Sequence, residues 1–134
     1  MNTTEATEQL LQCCPEDHQP SDPGCYALEI DLPDDRNDVA DAWHEHYEEL
    51  PPYYHRLVDC HTAIYVGEAG DVQRRLNDHI NSDKRKAALP SVFGVKSLLN
   101  VWWHDSKQDA EEAEYNRARQ IDKETDPLTY VHSR

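Results

Sequence analysis

Apolar positions recur along this chain in two rhythms. Cys25 to Ile30 alternates apolar and polar residues and is stopped by Asp31, Pro33 and Asp34, the mark of a β-strand. Ala63-Ile64-Tyr65-Val66 is a short β-branched and aromatic run ending at Gly67, and Leu98 to His104 is a third such segment. The other rhythm is helical. Val72, Leu76 and Ile80 follow one another at i, i+4, i+8 behind the capping residue Asp71, and Ala110, Ala113, Ala118 and Ile121 share one arc of a helix from about Lys107 to Lys123. Val39, Trp43 and Tyr47 mark a further helix over Asp38 to Leu50, closed by Pro51-Pro52. The pattern predicts an α/β domain: a small three-stranded antiparallel sheet flanked by helices, with a helical insertion of about Leu32 to Cys60 between the first two strands.

Residues 1–23 carry a short helical possibility over Thr4 to Gln12 and then prolines at 15, 20 and 23. With no long apolar stripe to dock it, this stretch reads as a mobile acidic arm, and residues 24–134 as the folded domain.

Composition changes the picture in one respect. The chain has 134 residues, room for one core, and 27 Asp plus Glu against 13 Lys plus Arg, a formal net charge of −14. Such a surface repels free nucleic acid at low salt. At ~1 M salt, however, the Debye length is only about 3 Å and the repulsion is screened, so the acidic shell reads as that of a salt-loving cytoplasm. An acidic face for a basic partner protein is the competing explanation. Cys13, Cys14, Cys25 and Cys60 have neither the spacing of a secreted disulfide framework nor that of a zinc cluster, and no apolar run is long enough to span a membrane. A cytoplasmic protein with reduced thiols is expected.

The candidate chemistry sits on the two helices behind the strands. On the Asp71 helix, Arg75 and His79 lie together on the flank of the apolar stripe while Arg74 points the other way. A guanidinium beside an imidazole can bind phosphate, although an edge arginine is also commonly just solvated. On the last helix Glu114 falls inside the apolar arc, whereas Glu111 and Glu112 fall outside it. A carboxylate there is either the partner of Arg117 or a hard oxygen ligand for Mg²⁺ or Mn²⁺. Lys84, Arg85, Lys86 and Lys96 gather much of the positive charge near this region and are candidate phosphate-binding residues. His44, His46, His55, Cys60 and His61 offer donors that zinc favours, but their spacings match no zinc frame, and His44 and His46 diverge on a helix.

Taken together, Tyr65-Val66-Gly67, Asp71-Val72, Arg75-Leu76 and His79 resemble the second motif of the GIY-YIG nuclease family, Y-[IV]-G, D/N-[LV] and R-[LI]-x-x-H. Gly24-Cys25-Tyr26 resembles its G-[IV]-Y strand with Cys for the middle aliphatic residue, and Glu114 matches the family's metal-binding glutamate in order. The chain is similar to an acidic, haloarchaeal-like member. The long insertion departs from the family, in which the two motif strands usually form a close hairpin. The resemblance implies a metal-dependent endonuclease that hydrolyses phosphodiester bonds in DNA, in a structure-dependent or repair and recombination setting. It implies Tyr26 and Tyr65 side by side at the sheet centre, one helping to deprotonate or orient water, Glu114 holding the ion, Arg75 neutralising the phosphoryl oxygens, and His79 touching the phosphate or a tyrosine. Gly24 and Gly67 would shape the structural turns. With no second DNA-binding domain visible, a partner protein would supply substrate recognition. A nucleic-acid-binding module that does not cleave, and an acidic adaptor for a basic protein, are the alternatives.

Overall fold

The computed structural model describes residues 1–81 and 87–133. The order of elements is α1 (Thr3–Gln12), β1 (Gly24–Ile30), α2 (Asn37–His44), α3 (Tyr54–Asp59), β2 (Thr62–Ala69), α4 (Val72–Asn81), α5 (Ala88–Phe93), β3 (Val95–Trp103), α6 (Lys107–Glu124) and β4 (Thr129–His132).

The sheet has four strands in the order β3-β1-β2-β4 and is mixed, which corrects the expected three-stranded antiparallel sheet. β1 is antiparallel to both β2 and β3, and β4 runs parallel to β2. The fourth strand escapes the pattern because it is only Thr-Tyr-Val-His, too short to establish a period, and its place is supplied by the open edge of β2.

Side chains alternate across this sheet, and each face has its own cover. On one face Tyr26, Leu28, Ile30, Ala63, Tyr65 and Ala69 meet Val72 and Leu76 of α4, Leu57 of α3, Val39 and Trp43 of α2, and Leu10 of α1. On the other, Ala27, Ile64 and Val66 meet Ala118 of α6. Alanines let that helix lie close: the Cys25 thiol donates to the Ala110 carbonyl at 3.1 Å. The two helices that carry the candidate site residues, α4 and α6, each start on a cap. Asp71 accepts from the Arg74 N–H at 3.0 Å, and Ser106 accepts from the Asp109 N–H at 3.1 Å.

Residues 1–23, where an arm is expected, supply α1 to the core, with Ala6 and Leu10 buried and a capping box between Asn2 and Glu5. The terminal ammonium donates to the Val95 carbonyl at 2.9 Å, Gln9 accepts from the Leu98 N–H at 2.8 Å, and the Trp103 indole donates to the Cys13 carbonyl at 2.9 Å. These bonds occupy part of the outer edge of β3.

The connector between β1 and β2 is two short helices rather than one long one. The carbonyl of Trp43 takes the N–H groups of both His46 and Tyr47, which ends α2 early. Its apolar stripe survives, with Val39 and Trp43 buried and Tyr47 stacked on Trp43 at 5.0 Å.

Candidate active site

Strand pairing brings the two tyrosines together. Tyr26 on β1 faces Gly67 on β2, and Leu28 faces Tyr65, so both phenol rings lie on the α4 face, 6.5 Å apart between centroids. His79, one turn beyond Arg75 on α4, approaches each ring at 5.6 Å. The Tyr26 hydroxyl lies 2.8 Å from His79 Nε2. Arg75 also reaches the Tyr26 oxygen. A neutral His79 with its proton on Nδ1 accepts the phenolic proton at Nε2 and leaves the Tyr26 oxygen free to accept from the guanidinium. Burial pulls the His79 pKa down to about 3, helped by the neighbouring Arg75 charge, in agreement with that assignment. Burial likewise holds the Tyr26 hydroxyl far above the usual phenol range, with Tyr65 adding to the shift and Arg75 opposing it.

Gly67 does not form the expected turn. β2 continues through Glu68 to Ala69, and the chain turns at Gly70-Asp71. A Cβ on Gly67 would lie 2.5 Å from the Tyr26 oxygen and 2.6 Å from its Cζ, so the bare glycine is the floor on which the Tyr26 ring rests. Gly24 is also a strand position. A Cβ there would come within 2.8 Å of the Trp102 carbonyl oxygen on β3.

An open cleft of about 650 Å³ lies at the end of β2, lined by Tyr65, Glu68, Gly70, Asp71, Arg74, Arg75, Asp78 and Lys107, with Ala69. Tyr65 and Arg75 therefore line one cleft, Arg75 half-buried and Tyr65 presenting only 3% of its surface, while Tyr26 and His79 lie behind them and do not line it. Glu68 and Lys107 belong to this cleft and are not among the residues that the sequence pattern singles out. Glu68 stands directly after the Tyr-Val-Gly motif, which is the one clue that could have pointed to it.

Glu114 is buried, as the helical arc predicts, and Glu111 and Glu112 are exposed. Its helix covers the opposite face of the sheet from Tyr26 and Tyr65, and Glu114 does not line the cleft. Glu68 shares Glu114's face: both carboxylates act on the Cys25 thiol, which burial chiefly, and these charges secondarily, raise to about 11. Two oxygen donors of this kind suit Mg²⁺ or Mn²⁺, which bind through one or two carboxylates and keep most of their water. Among the described residues no group of three or more His, Cys, Asp or Glu side chains gathers as a metal site, the histidines and Cys60 of the connector included.

Of the basic residues, Lys96 lies elsewhere. It pairs with Glu29 at 3.5 Å and lines a separate hollow of about 330 Å³ with Arg36 and His61. Lys84, Arg85 and Lys86 lie outside the described residues.

The family of the GIY-YIG catalytic domain matches residues 55–125, more than half of the chain, and the protein belongs to that family. Membership supports a nuclease-type function with DNA as the substrate it suggests, and nucleases of this family generally use divalent metal ions. The match takes in Tyr65, Arg75, His79 and Glu114 and begins after most of the connector, so Tyr26 joins the set through the β1–β2 pairing. No curated protein and no solved structure matches the chain. Among the described residues no helix is long and apolar enough to cross a membrane.

Proposed function

We propose that the protein is a divalent-metal-dependent endonuclease that hydrolyses phosphodiester bonds in DNA. The observation that carries this reading is that Tyr65 and Arg75 line one cleft together, backed by the hydrogen bond between Tyr26 and a neutral His79. Tyr65 is the tyrosine that meets the attacking water and orients it by hydrogen bonding. Arg75 stands beside it to neutralise the phosphoryl oxygens as charge builds on them. The water oxygen forms the new P–O bond, the bond to the leaving oxygen breaks, and a proton from the water ends on that leaving oxygen. Tyr26 and His79 act one layer back: their hydrogen bond and the contact of Tyr26 with Arg75 fix the guanidinium from behind the cleft.

Glu114, with Glu68 at the cleft, would hold Mg²⁺ or Mn²⁺, and such an ion supplies Lewis-acid charge and lowers the cost of deprotonating water. A site built from one small domain reads little sequence, so branched or otherwise structured DNA of the kind met in repair and recombination, or recognition lent by a partner protein, fits it better than a long specific site. The acidic surface is read as adaptation to high salt inside a cell, where the repulsion of DNA is screened.

The test is cleavage of matched linear and branched DNA in molar KCl, with and without Mg²⁺. Cleavage that requires the ion supports the reading. Tight binding without cleavage at any Mg²⁺ concentration would make the protein a binding module, and neither binding nor cleavage would favour an acidic adaptor for a basic protein.

A further inference from the structure

The C-terminal strand brings a side chain to the site that neither the motif pattern nor the matched region includes. In the parallel ladder between β2 and β4, Tyr65 and His132 are direct partners, and partners in register project to the same face. The His132 ring lies 6.2 Å from the Tyr65 ring and nearly parallel to it, at 26°. His79 lies against the same ring at 5.6 Å and 72°. Tyr65 thus stands between two imidazoles, one from α4 and one from β4.

His132 is itself held from behind. The Tyr130 hydroxyl lies 2.7 Å from His132 Nδ1, and the Tyr53 ring approaches His132 at 4.5 Å. Tyr53 also stacks on Tyr130 at 5.7 Å and 25°, with the Arg56 guanidinium 4.6 Å over the Tyr130 ring. Tyr53 and Arg56 come from the connector between β1 and β2. The start of β4 is tied down by His61, whose N–H donates to the Leu128 carbonyl at 2.7 Å. A continuous path of ring contacts therefore runs from the connector through β4 to Tyr65. Burial lowers the His132 pKa, so the ring is neutral at neutral pH, and with its proton on Nε2 it accepts from the Tyr130 hydroxyl at Nδ1.

We propose that His132 is a positioning residue for Tyr65, and that the connector and β4 together form an aromatic brace that holds the Tyr65 ring at the cleft. This role rests on the nuclease reading for its effect on rate, but the bracing of the ring can be read without any substrate. The insertion thereby gains a function in the fold, since Tyr53 and Arg56 clamp β4, β4 presents His132, and His132 limits the tilt of Tyr65. Geometry errors of about 1 Å at a reacting centre can cost on the order of 100-fold in rate, so a brace that touches no substrate can still govern turnover.

The experiment compares the full chain with His132→Ala, Tyr130→Phe, Tyr65→Phe and the double change His132→Ala with Tyr65→Phe. In cleavage assays His132→Ala is expected to lower kcat about 10- to 100-fold with KM held within about twofold. Tyr130→Phe, which removes only the hydroxyl, should lower kcat about threefold. The double variant should be no slower than Tyr65→Phe alone, because a brace has nothing to position once the hydroxyl is gone. A merely structural His132 would instead add its loss to that of Tyr65→Phe, and that result overturns the proposal, as does a parent-like kcat in His132→Ala. Should His132→Ala fail to fold, His132→Phe keeps the stacked ring without Nδ1 and is expected to match Tyr130→Phe. The second readout is the ring-flip rate of Tyr65 by aromatic NMR on the protein without DNA. Flipping should be slow in the parent and faster in His132→Ala, and equal rates overturn the brace. A parent that cleaves no DNA while the flip rates differ would refute the nuclease reading and leave the brace standing.

Discussion

The two faces of the sheet differ in what they bury. The α4 face is thick and aromatic: Tyr26, Tyr65 and His79 pack with Leu28, Val72 and Leu76, and the low dielectric there keeps the histidine neutral and the Tyr26 phenol protonated. The α6 face is thin. Its core is Ala27, Ile64, Val66 and Ala118, and its buried polar groups are the carboxylates Glu68 and Glu114. Hydrogen-bonded rings, which need fixed geometry, are thus placed where packing is dense. The acids that we propose as cation ligands lie on the face whose core side chains are small, with Glu68 at the cleft. The division places aromatic groups and acids on opposite sides of the β1–β2 pair, with Gly67 as the bare position under the Tyr26 ring on the aromatic side.

The sharpest way to break this comparison is to remove one group from each side. Arg75→Ala and Glu114→Gln are each expected to lower kcat about 100- to 1000-fold while the protein stays folded, the range seen when a single stabilising group at a reacting phosphate or oxyanion is lost. Glu114→Gln should in addition weaken Mg²⁺ binding, which isothermal titration can follow. Glu111→Gln and Glu112→Gln should leave both quantities near the parent, since both residues are exposed and Glu111 pairs with Lys107 at 2.9 Å. A Glu111→Gln protein as slow as Glu114→Gln would mean that the buried carboxylate is not the one that counts.

Gly67→Ala probes the seating of the aromatic face. Its methyl group would overlap the Tyr26 ring, the ring would have to swing off its floor, and the bond to His79 would go with it. Overpacking of this kind typically costs about 1–3 kcal/mol. Chemical denaturation should report a loss in that range together with a fall in kcat. Gly70→Ala is the control, because its methyl group would meet only the flexible Lys107 side chain, at 3.4 Å. Equal stability of the two variants would show that Tyr26 is not seated on Gly67.

Much of this arrangement was legible in the sequence. The periodicities at Cys25–Ile30, Ala63–Val66, Val72–Ile80 and Ala110–Ile121 mark the two central strands and the two helices that flank them, because each buries one face over enough residues to establish a period. The burial of Glu114 and the exposure of its neighbours followed from the same geometry. What escaped was set by pairing rather than by period. β4 is four residues long and exists because β2 has an edge to fill. α1 docks through two buried positions, Ala6 and Leu10, and a set of hydrogen bonds to β3 that no stripe announces. Gly67 reads as a turn residue until its cross-strand partner is known to be Tyr26. Glu68 and His132 are polar residues near the ends of their strands, and only the fold shows that one borders the cleft and the other touches Tyr65.

Acid should act on the aromatic face through His79. Its folded pKa, near 3, lies below the ~6.5 of an unfolded histidine, so between these values the unfolded chain binds the extra proton. The stability linked to this group is complete above about pH 6.5 and is lost as the pH falls toward 3, by on the order of a few kcal/mol in full. His132 is shifted in the same direction, also by burial. Melting temperatures taken between pH 7 and pH 4 should therefore fall more steeply for the parent than for His79→Gln, which has no titrating ring. Parallel curves would mean that His79 is protonated in the folded protein and that the proton between it and Tyr26 sits the other way.

The smallest effect is expected from Arg74, and it separates a surface charge from a built one. Arg74 and Arg75 are neighbours, both line the cleft, and both are charged. Only Arg75 is partly buried and reaches the Tyr26 oxygen, whereas the Arg74 side chain is exposed and its backbone N–H serves the Asp71 cap. An exposed guanidinium adds to the field that draws phosphate in but is free to move as the reaction proceeds, so it favours ground state and transition state alike. Arg74→Ala is then expected to raise KM by about two- to fivefold at low salt, the scale of an exposed charge pair, with kcat unchanged. The difference from the parent should fade as KCl approaches molar levels, where charges more than a few ångströms apart no longer act on one another. The loss in Arg75→Ala should persist there, because its partners are at contact distance and shielded from the salt. An Arg74→Ala protein with a kcat as low as that of Arg75→Ala, at high salt as well as low, would show that the cleft uses either arginine and that the contact with Tyr26 does not select between them.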